Sequence, residues 1–273
     1  MTTTAQVPER PAGLPSGFDL GLAGRVVLVT GGARGIGLGI VRTLADLGAI
    51  PVACARHSGD GIETITAATF LPCDVRNEEA VTATLERIVD THGRIDGVVN
   101  NAGGSPFALA ADASSRFTSK IVELNLLAPL IVARAAHAIM RDQESGGAIV
   151  NVSSVSGHRA SPGTSAYGAA KAGLDNLTAS LAVEWAPQVR VNSVVAGPVE
   201  TEQAHLHYGD DAGVAAVGAT IPMGRMARPA DIGSAVAFLL SPLAAYITGA
   251  TLTVDGGGEK PAFLDAANAG NDI

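Results

Sequence analysis

The chain has 273 residues, of which 47% are hydrophobic and only 16% are charged, and its formal net charge is −8. This composition excludes intrinsic disorder, because so much apolar surface is enough to fill a sizeable core. The acidic balance argues against a nucleic-acid surface, which needs clustered Lys and Arg. We therefore expect a small-molecule partner and no nucleic acid.

The start of the chain and its cysteines bear on location. Residues 1–21 are polar and rich in Pro, without the apolar stretch of a signal peptide, and predict a flexible leader. No apolar run stands out as long enough to span a bilayer, so no membrane partner is expected. Cys54 and Cys73 each end an apolar run, which predicts buried thiols in a reducing, cytoplasmic setting.

The histidines do not form a metal-binding pattern. His205 and His207 lie two residues apart, a spacing that does not share one helix face. We predict no metal site.

Short β-branched runs alternate with longer amphipathic stretches, which is typical of repeated β-α units around a parallel sheet. The predicted strands cover residues 25–30, 51–55, 70–73, 97–100, 148–153, 189–195 and 251–254. The predicted helices cover residues 37–47, 78–92, 115–140, 166–186 and 229–240. The interval 56–69 is short for a full crossover helix and is expected to contain only a turn.

This order of elements predicts an α/β protein with a single-domain, doubly wound Rossmann fold and a seven-stranded parallel sheet over residues 22–258. Residues 201–225 lack strand character and are expected to form a substrate lid. Residues 259–273 have no clear partner in the pattern and are expected to form a C-terminal tail.

A glycine-rich turn joins the first strand to the first helix, which is the context that a phosphate-binding turn requires. Glycine allows backbone amides to approach a pyrophosphate, and the helix N-terminus adds partial positive charge. The spacing differs from the usual G-x-G-x-x-G pattern, and a plain tight connection is the alternative. The candidate cofactor-binding residues in this turn are Gly31, Arg34, Gly35, Ile36 and Gly37.

The end of the second strand bears on which dinucleotide is bound. An acidic residue there favours NAD, whereas a basic group accommodates the extra phosphate of NADP. The strand ends at Arg56, and Arg34 can reach the same space, so we expect NADP(H) to be favoured over NAD(H). Two alternatives stay open: Arg56 is merely solvated, or Asp60 folds back to the ribose.

Two further loops follow strands at the carboxyl edge, where open α/β sheets bind ligands. Asn101, Ala102 and Gly103 follow the fourth strand and are candidates for cofactor binding, although a plain loop would have the same composition. Asp74 and Val75 follow the third strand. Asp74 is expected either to receive the adenine amino group or to cap the helix that begins near residue 78.

The chemistry is expected where the fifth strand ends. Tyr167 and Lys171 are four residues apart at the start of a predicted helix, so they share one face. A free tyrosine has a pKa near ~10, and a nearby cation favours its phenolate. Tyr167 is therefore predicted to move the substrate proton, with Ser154 holding the substrate oxygen. The alternative is a surface Tyr/Lys pair on an ordinary helix.

Asn125 is a polar residue among apolar neighbours on a long predicted helix. Buried amides need partners. On the bare sequence, two interpretations stand equally: it interrupts the helix and anchors a proton-relaying water near Lys171, or it is a satisfied core amide.

Together these motifs resemble the short-chain dehydrogenase/reductase family over residues 22–257. The resemblance implies that Asn125, Ser154, Tyr167 and Lys171 form a catalytic tetrad and that Pro198, Val199 and Thr201 contact the nicotinamide side of the cofactor. The family more often has proline where Ala196 stands. The paired arginines resemble the NADP-preferring ketoacyl reductases, and the family implies a homotetramer.

The expected reaction is hydride transfer between a nicotinamide cofactor and a ketone or secondary alcohol. An NAD-dependent alcohol dehydrogenase of the same family is one alternative, and a dinucleotide-binding regulator without turnover is another. The intact tetrad argues against the regulator. The candidate pocket residues, which do not define a substrate, are Ser105, Pro106, Phe107, His158, Arg159, His205, His207, Tyr208 and Met223.

Overall fold

The computed structural model describes residues 19–59 and 61–266. Residues 1–18 of the predicted leader, Asp60 and residues 267–273 of the predicted tail lie outside this part. Its strands are β1 (Val26–Thr30), β2 (Ile50–Ala55), β3 (Thr69–Pro72), β4 (Gly97–Asn100), β5 (Gly147–Ser154), β6 (Val189–Ala196) and β7 (Thr251–Val254). Its helices are α1 (Gly35–Asp46), α2 (Glu78–His92), α3 (Ser115–Val122), α4 (Ala128–Met140), α5 (Ser165–Trp185), α6 (His205–Tyr208), α7 (Asp211–Thr220), α8 (Pro229–Leu240) and α9 (Ala262–Ala266).

The seven strands described form one parallel sheet in the order β3-β2-β1-β4-β5-β6-β7. The order reverses between β1 and β4, and a doubly wound sheet leaves its ligand crevice at such a reversal, at the carboxyl ends of the strands. The predicted fold class is confirmed. Strand bounds agree with the prediction within one residue.

Helices cover both faces of the sheet, which explains why β1 and β4 are continuous runs of buried residues. Residues of α2, α4 and α5 share one core with the sheet, and residues of α1 and α8 share the other. Apart from Asp60, which is not described, the crossover between β2 and β3 has a 3-10 turn at Ile62–Thr64 and no full helix, as its short length predicted.

The predicted helix over residues 115–140 is continuous but changes its winding. A π-helical turn at Glu123–Leu127 separates α3 from α4. By length and composition alone, this helix could cross a membrane, which the sequence interpretation did not single out. Ile121, Val132 and Met140 on it are buried in the protein, which accounts for its apolar character.

The predicted lid and tail are partly helical. Residues 201–225 contain α6 and α7 rather than an irregular loop. The first residues of the tail contact the rest of the protein: Glu259 forms an ion pair with Arg159, and the Lys260 amide donates to the Thr220 carbonyl at 3.1 Å.

Asp96 ties the amino ends of β1 and β4 together. Its side chain, only 5% exposed, accepts hydrogen bonds from the Val26 amide and the Arg25 guanidinium, both at 2.9 Å, and from Arg94. Burial raises the pKa of Asp96, but these hydrogen bonds outweigh it and hold the pKa below its usual value.

We expect Asp96→Asn to lower the free energy of unfolding by about 1–3 kcal/mol at neutral pH, because it leaves buried donors poorly matched. A carboxyl group whose pKa is lower in the folded protein than in the unfolded chain stabilises the folded state at pH values above its pKa in the unfolded chain. This contribution is lost as the pH falls through the pKa of the folded protein. Urea unfolding of both proteins from about pH 7 to about pH 3 tests this. A stability difference that does not shrink on acidification would contradict it.

Candidate active site

The turn after β1 exposes backbone amides at the N-terminus of α1. Gly31 and Gly35 have φ angles of +64° and +54°, a region that side chains with a Cβ disfavour. Gly37 packs so closely that a Cβ there would collide with the Gly31 carbonyl and the Asn101 amide. These three glycines therefore serve backbone geometry, and the turn can approach a bound phosphate.

The loop after β4 holds this turn in place. The Asn101 side chain donates to the Thr30 carbonyl at 2.9 Å, and the Asn101 and Ala102 amides both donate to the Thr30 hydroxyl at 3.0 Å. The Asn101 amide side chain is thus engaged with the protein's own turn.

The glycine turn already holds an anion supplied by the chain itself. Glu202 Oε1 accepts a hydrogen bond from the Gly35 amide at 3.0 Å. A carboxylate at this helix N-terminus stands in for a phosphate oxygen, so the turn fits the pyrophosphate of a dinucleotide.

Charged residues gather at the carboxyl ends of β2 and β3. Asp74 accepts from Arg76 Nη2 at 2.6 Å and from Arg76 Nε at 2.9 Å. Arg76, with a smaller contribution from Arg56, lowers the pKa of Asp74 to about 2. The interpretation of Asp74 as a helix cap is wrong, because Asn77 caps α2 by accepting from the Ala80 amide.

Tyr167 and Lys171 lie on one face of α5, as their spacing predicted. Lys171 Nζ is 5.6 Å from the centre of the Tyr167 ring and donates to the Val152 carbonyl at 2.7 Å. Lys171 is only 3% exposed. Burial lowers the pKa of this ammonium to about 8, against a raising effect from Asp175.

The Tyr167 phenol differs from the expectation in the direction of its pKa. Burial raises the pKa of Tyr167 above its usual value, a hydrogen bond with Ser154 opposes this, and nearby Tyr208 adds to the rise. Desolvation disfavours the phenolate and outweighs the favourable contact. The phenol is therefore in its protonated form at neutral pH.

Asn125 sits in the π-helical turn and is completely buried. Its Oδ1 accepts from the Gly104 amide, and its Nδ2 donates to the Gly104 and Ile121 carbonyls, all at 2.9 Å. The helix is interrupted here, as one interpretation expected, and the amide is also satisfied, as the other expected. Asn125 anchors the loop after β4 beside Lys171, since a Cβ on Gly103 would contact both side chains.

One cleft of about 690 Å³ joins the glycine turn, the carboxyl ends of β2 and β3, and the Tyr167 and Lys171 pair. Asn125, Pro198 and Val199 are predicted site residues that do not line it. Val199 instead bridges to Ala227. The predicted site residues that line it are Gly31, Arg34, Gly35, Ile36, Gly37, Arg56, Asp74, Val75, Asn101, Ala102, Gly103, Ser154, Tyr167, Lys171 and Thr201.

Several lining residues were not predicted. Arg76 is the most important, and its position just after Asp74 at a strand end was a usable signal. His207, which was predicted as a pocket residue, lines the cleft from α6. Glu202 and Gln203 were not predicted and line it from the start of the predicted lid. Nothing in their sequence pattern points to the glycine turn.

The fold and cleft define a dinucleotide-binding α/β protein, and comparison with known proteins gives its family. The family model described as enoyl-(acyl carrier protein) reductase matches residues 31–259. A 3-oxoacyl-(acyl-carrier-protein) reductase of Vibrio cholerae is 39% identical, over 87% of this chain and 98% of its own length. An uncharacterized short-chain type dehydrogenase/reductase of Sinorhizobium fredii is also 39% identical, over 86% of this chain. The aligned region spans only 43% of that protein.

Solved structures are similar to this one as well. Ligand-free aldohexose dehydrogenase of Thermoplasma acidophilum superposes with a TM-score of 0.81 and 31% identity, over 92% of this chain and 98% of the other. The chain belongs to the short-chain dehydrogenase/reductase family. It is an oxidoreductase of the kind that uses a nicotinamide cofactor with alcohol or ketone substrates.

Proposed function

We propose that this protein is a carbonyl reductase that favours NADPH and uses Tyr167 as its acid and base. The observation that carries the proposal is the cleft itself. It joins an amide turn that holds a carboxylate to the partly buried Tyr167 and the buried Lys171.

The tyrosine suits proton transfer to a carbonyl. The bound nicotinamide supplies the hydride chemistry, and the protein supplies position and charge. A phenol with a raised pKa keeps its proton at neutral pH and can give it to the substrate oxygen as that oxygen gains negative charge. Ser154 lies beside the phenol and can donate a second hydrogen bond to the same oxygen.

Lys171 supports the phenolate that this step leaves behind. Its ammonium is the cation close to Tyr167, and with a pKa of about 8 it is mostly protonated at neutral pH. Asn125 holds the loop after β4 beside it, and a water relay from Lys171 through this region stays a prediction.

The preference for NADP(H) rests on charge. Arg34 and Arg56 both line the adenosine end of the cleft, and Arg76 offsets the negative charge of Asp74 there. Guanidinium groups bind phosphate through charge-assisted hydrogen bonds, so this end favours a cofactor with an additional phosphate. Asp74 near the adenine, and Val75 and Thr201 beside the cofactor, remain proposed contacts. Pro198 and Val199 do not line the cleft, and we do not propose that they contact the cofactor.

The substrate is proposed only as a ketone or secondary alcohol. Similar proteins act on substrates as different as 3-oxoacyl thioesters and aldohexoses, by their names. A panel of both classes with NADPH and NADH, followed by the loss of nicotinamide absorbance, tests the proposal. If no member of a broad ketone panel is turned over, the proposed reductase function is wrong. Tight cofactor binding without turnover would favour a dinucleotide-binding regulator instead.

Glu202 gives a prediction for cofactor binding. Its carboxylate occupies the Gly35 amide, which the pyrophosphate would need, and two anions cannot share that donor. We expect Glu202→Gln to tighten binding of NADPH and NADH about 3- to 10-fold at low ionic strength, with a smaller gain in added salt. Fluorescence titration of both cofactors measures it.

Glu200→Gln is the matched control, because Glu200 is exposed and lies two residues upstream. It should leave both dissociation constants unchanged. Equal or weaker cofactor binding by Glu202→Gln would contradict a competition between this carboxylate and the pyrophosphate.

Assembly as a homotetramer is also proposed. The support is apolar surface: Leu127 beside α4, Val183 on α5, and Tyr246 are exposed, as is most of strand β7 at the sheet edge. Unpaired strand edges and exposed large side chains are typical of surfaces that pair with another chain. Light scattering coupled to size-exclusion chromatography tests it, and a monomeric mass at micromolar concentration would refute it. The cytoplasmic location stays a prediction.

A further inference from the structure

Asp175 is a largely buried carboxylate with no part in the proposed proton transfer. It lies on α5 four residues after Lys171, so Tyr167, Lys171 and Asp175 follow one another on the same helix face. Its side chain is 11% exposed.

Three elements deliver hydrogen bonds to this carboxylate. Ser193 of β6 donates to Oδ1 at 2.6 Å, and Ser153 of β5 donates to Oδ2 at 2.8 Å. His158, in the loop after β5, contacts Oδ2 at 3.0 Å. Ser153 precedes Ser154 directly, and its hydroxyl also reaches the Lys171 carbonyl at 3.3 Å. Asp175 therefore joins the strand that carries Ser154 to the helix that carries Tyr167 and Lys171.

We infer that Asp175 is a positioning residue that acts through Lys171: it is the fixed counter-charge that keeps the enclosed Lys171 side chain as an ammonium beside Tyr167. The inference rests on the proposed function only for its consequence in catalysis. The charge relation between Asp175 and Lys171 is independent of any substrate.

The electrostatics of Lys171 explain why it needs such a group. Its side chain donates to one neutral carbonyl, that of Val152, and is shielded from water. Burial alone drives a lysine toward the neutral amine, and Asp175 opposes that change. The titratable groups that face the pair are Tyr167 on α5 and His158 in the loop after β5. The hydroxyls of Ser153 and Ser193 hold Asp175 in place, so its charge does not swing away from the helix.

The lysine content of the chain makes a direct test practical. Only Lys120, Lys171 and Lys260 are present. Protein labelled with ¹³C at lysine Cε therefore gives three signals, and Lys120→Arg and Lys260→Arg variants identify that of Lys171. We expect Lys171 to titrate near pH 8 in the unaltered protein. In Asp175→Asn its midpoint should fall by about one pH unit, which is a tenfold lower ratio of ammonium to amine at a given pH.

Asp175→Asn nearly preserves shape, and the serine hydroxyls can rotate to accept from the new amide. Asp96→Asn is the matched control, because it also neutralises a buried, hydrogen-bonded carboxylate but at the amino ends of β1 and β4. It should lower stability and leave the Lys171 midpoint unchanged. If Asp175→Asn does not fold, Asp175→Ser replaces it with the same expected shift.

An unchanged Lys171 midpoint in a folded Asp175 variant, with only a lower melting temperature, would overturn the inference and leave Asp175 a structural residue. In turnover, the alkaline loss of kcat should move to lower pH in Asp175→Asn, by the same shift as the titration. The titration needs neither substrate nor cofactor. The Lys171 titration therefore tests the role of Asp175 even if the proposed role of Tyr167 proves wrong, and the two failures can be told apart.

Discussion

Tyr167→Phe is expected to lower kcat about 100- to 10,000-fold, because it removes the hydroxyl that exchanges a proton with the substrate oxygen. The ring is retained, so its packing beside Lys171 and the shape of the cleft should persist. The dissociation constant of the cofactor should change by less than about threefold, because the hydroxyl that is removed acts on the transition state rather than on the cofactor. Steady-state turnover together with cofactor titration measures both quantities.

Tyr246→Phe is the matched control, since Tyr246 is fully exposed and does not line the cleft. It should keep full activity. A Tyr167→Phe protein with unaltered kcat would eliminate the phenol as the acid and base.

Arg56→Ala is expected to weaken NADPH binding about tenfold and to leave NADH binding nearly unchanged. The guanidinium lines the adenosine end of the cleft, and a charge-assisted hydrogen bond to a phosphate contributes about 1.5–3 kcal/mol before screening. Arg56 is exposed, so solvent and salt reduce that contribution. The measurement is the ratio of the two dissociation constants, determined at low and high salt.

Arg87→Ala serves as the control, because Arg87 is an exposed arginine on α2 that does not line the cleft. Its NADPH to NADH ratio should equal that of the unaltered protein. Equal losses for the two cofactors in Arg56→Ala would remove the argument for NADPH, and the NAD-dependent alternative would then be favoured.

Local patterns were enough to predict the sheet and one end of the site. The runs that became β1, β2 and β4 are almost continuously buried because helices cover both faces of a parallel sheet, and such runs can be recognised without knowing their neighbours. The glycine turn and the Tyr167 and Lys171 pair could also be predicted from neighbouring residues, because a turn needs its glycines close together in sequence and two residues four apart share a helix face.

Residues whose partners lie far away in sequence could not be assigned this way. Asn125 had two interpretations, and only the loop after β4 supplied the partners for its amide. Pro198 and Val199 were grouped with Thr201 by motif, yet of the three only Thr201 lines the cleft. Asp74 was expected either to receive the adenine amino group or to cap a helix, but Asn77 caps α2 and Asp74 pairs with Arg76.

The sequence by itself determined the alternation of strands and helices, the glycine turn between β1 and α1, and the placing of Tyr167 and Lys171 on one helix face. The tertiary structure determines the pKa values of the site residues and the positions of the charges around them. Burial, rather than the neighbouring lysine, sets the direction of the Tyr167 pKa, and serines of β5 and β6 hold the Asp175 carboxylate on the helix that carries Lys171. Desolvation and charge interactions depend on distances between elements remote in sequence, and those distances exist only in the folded chain.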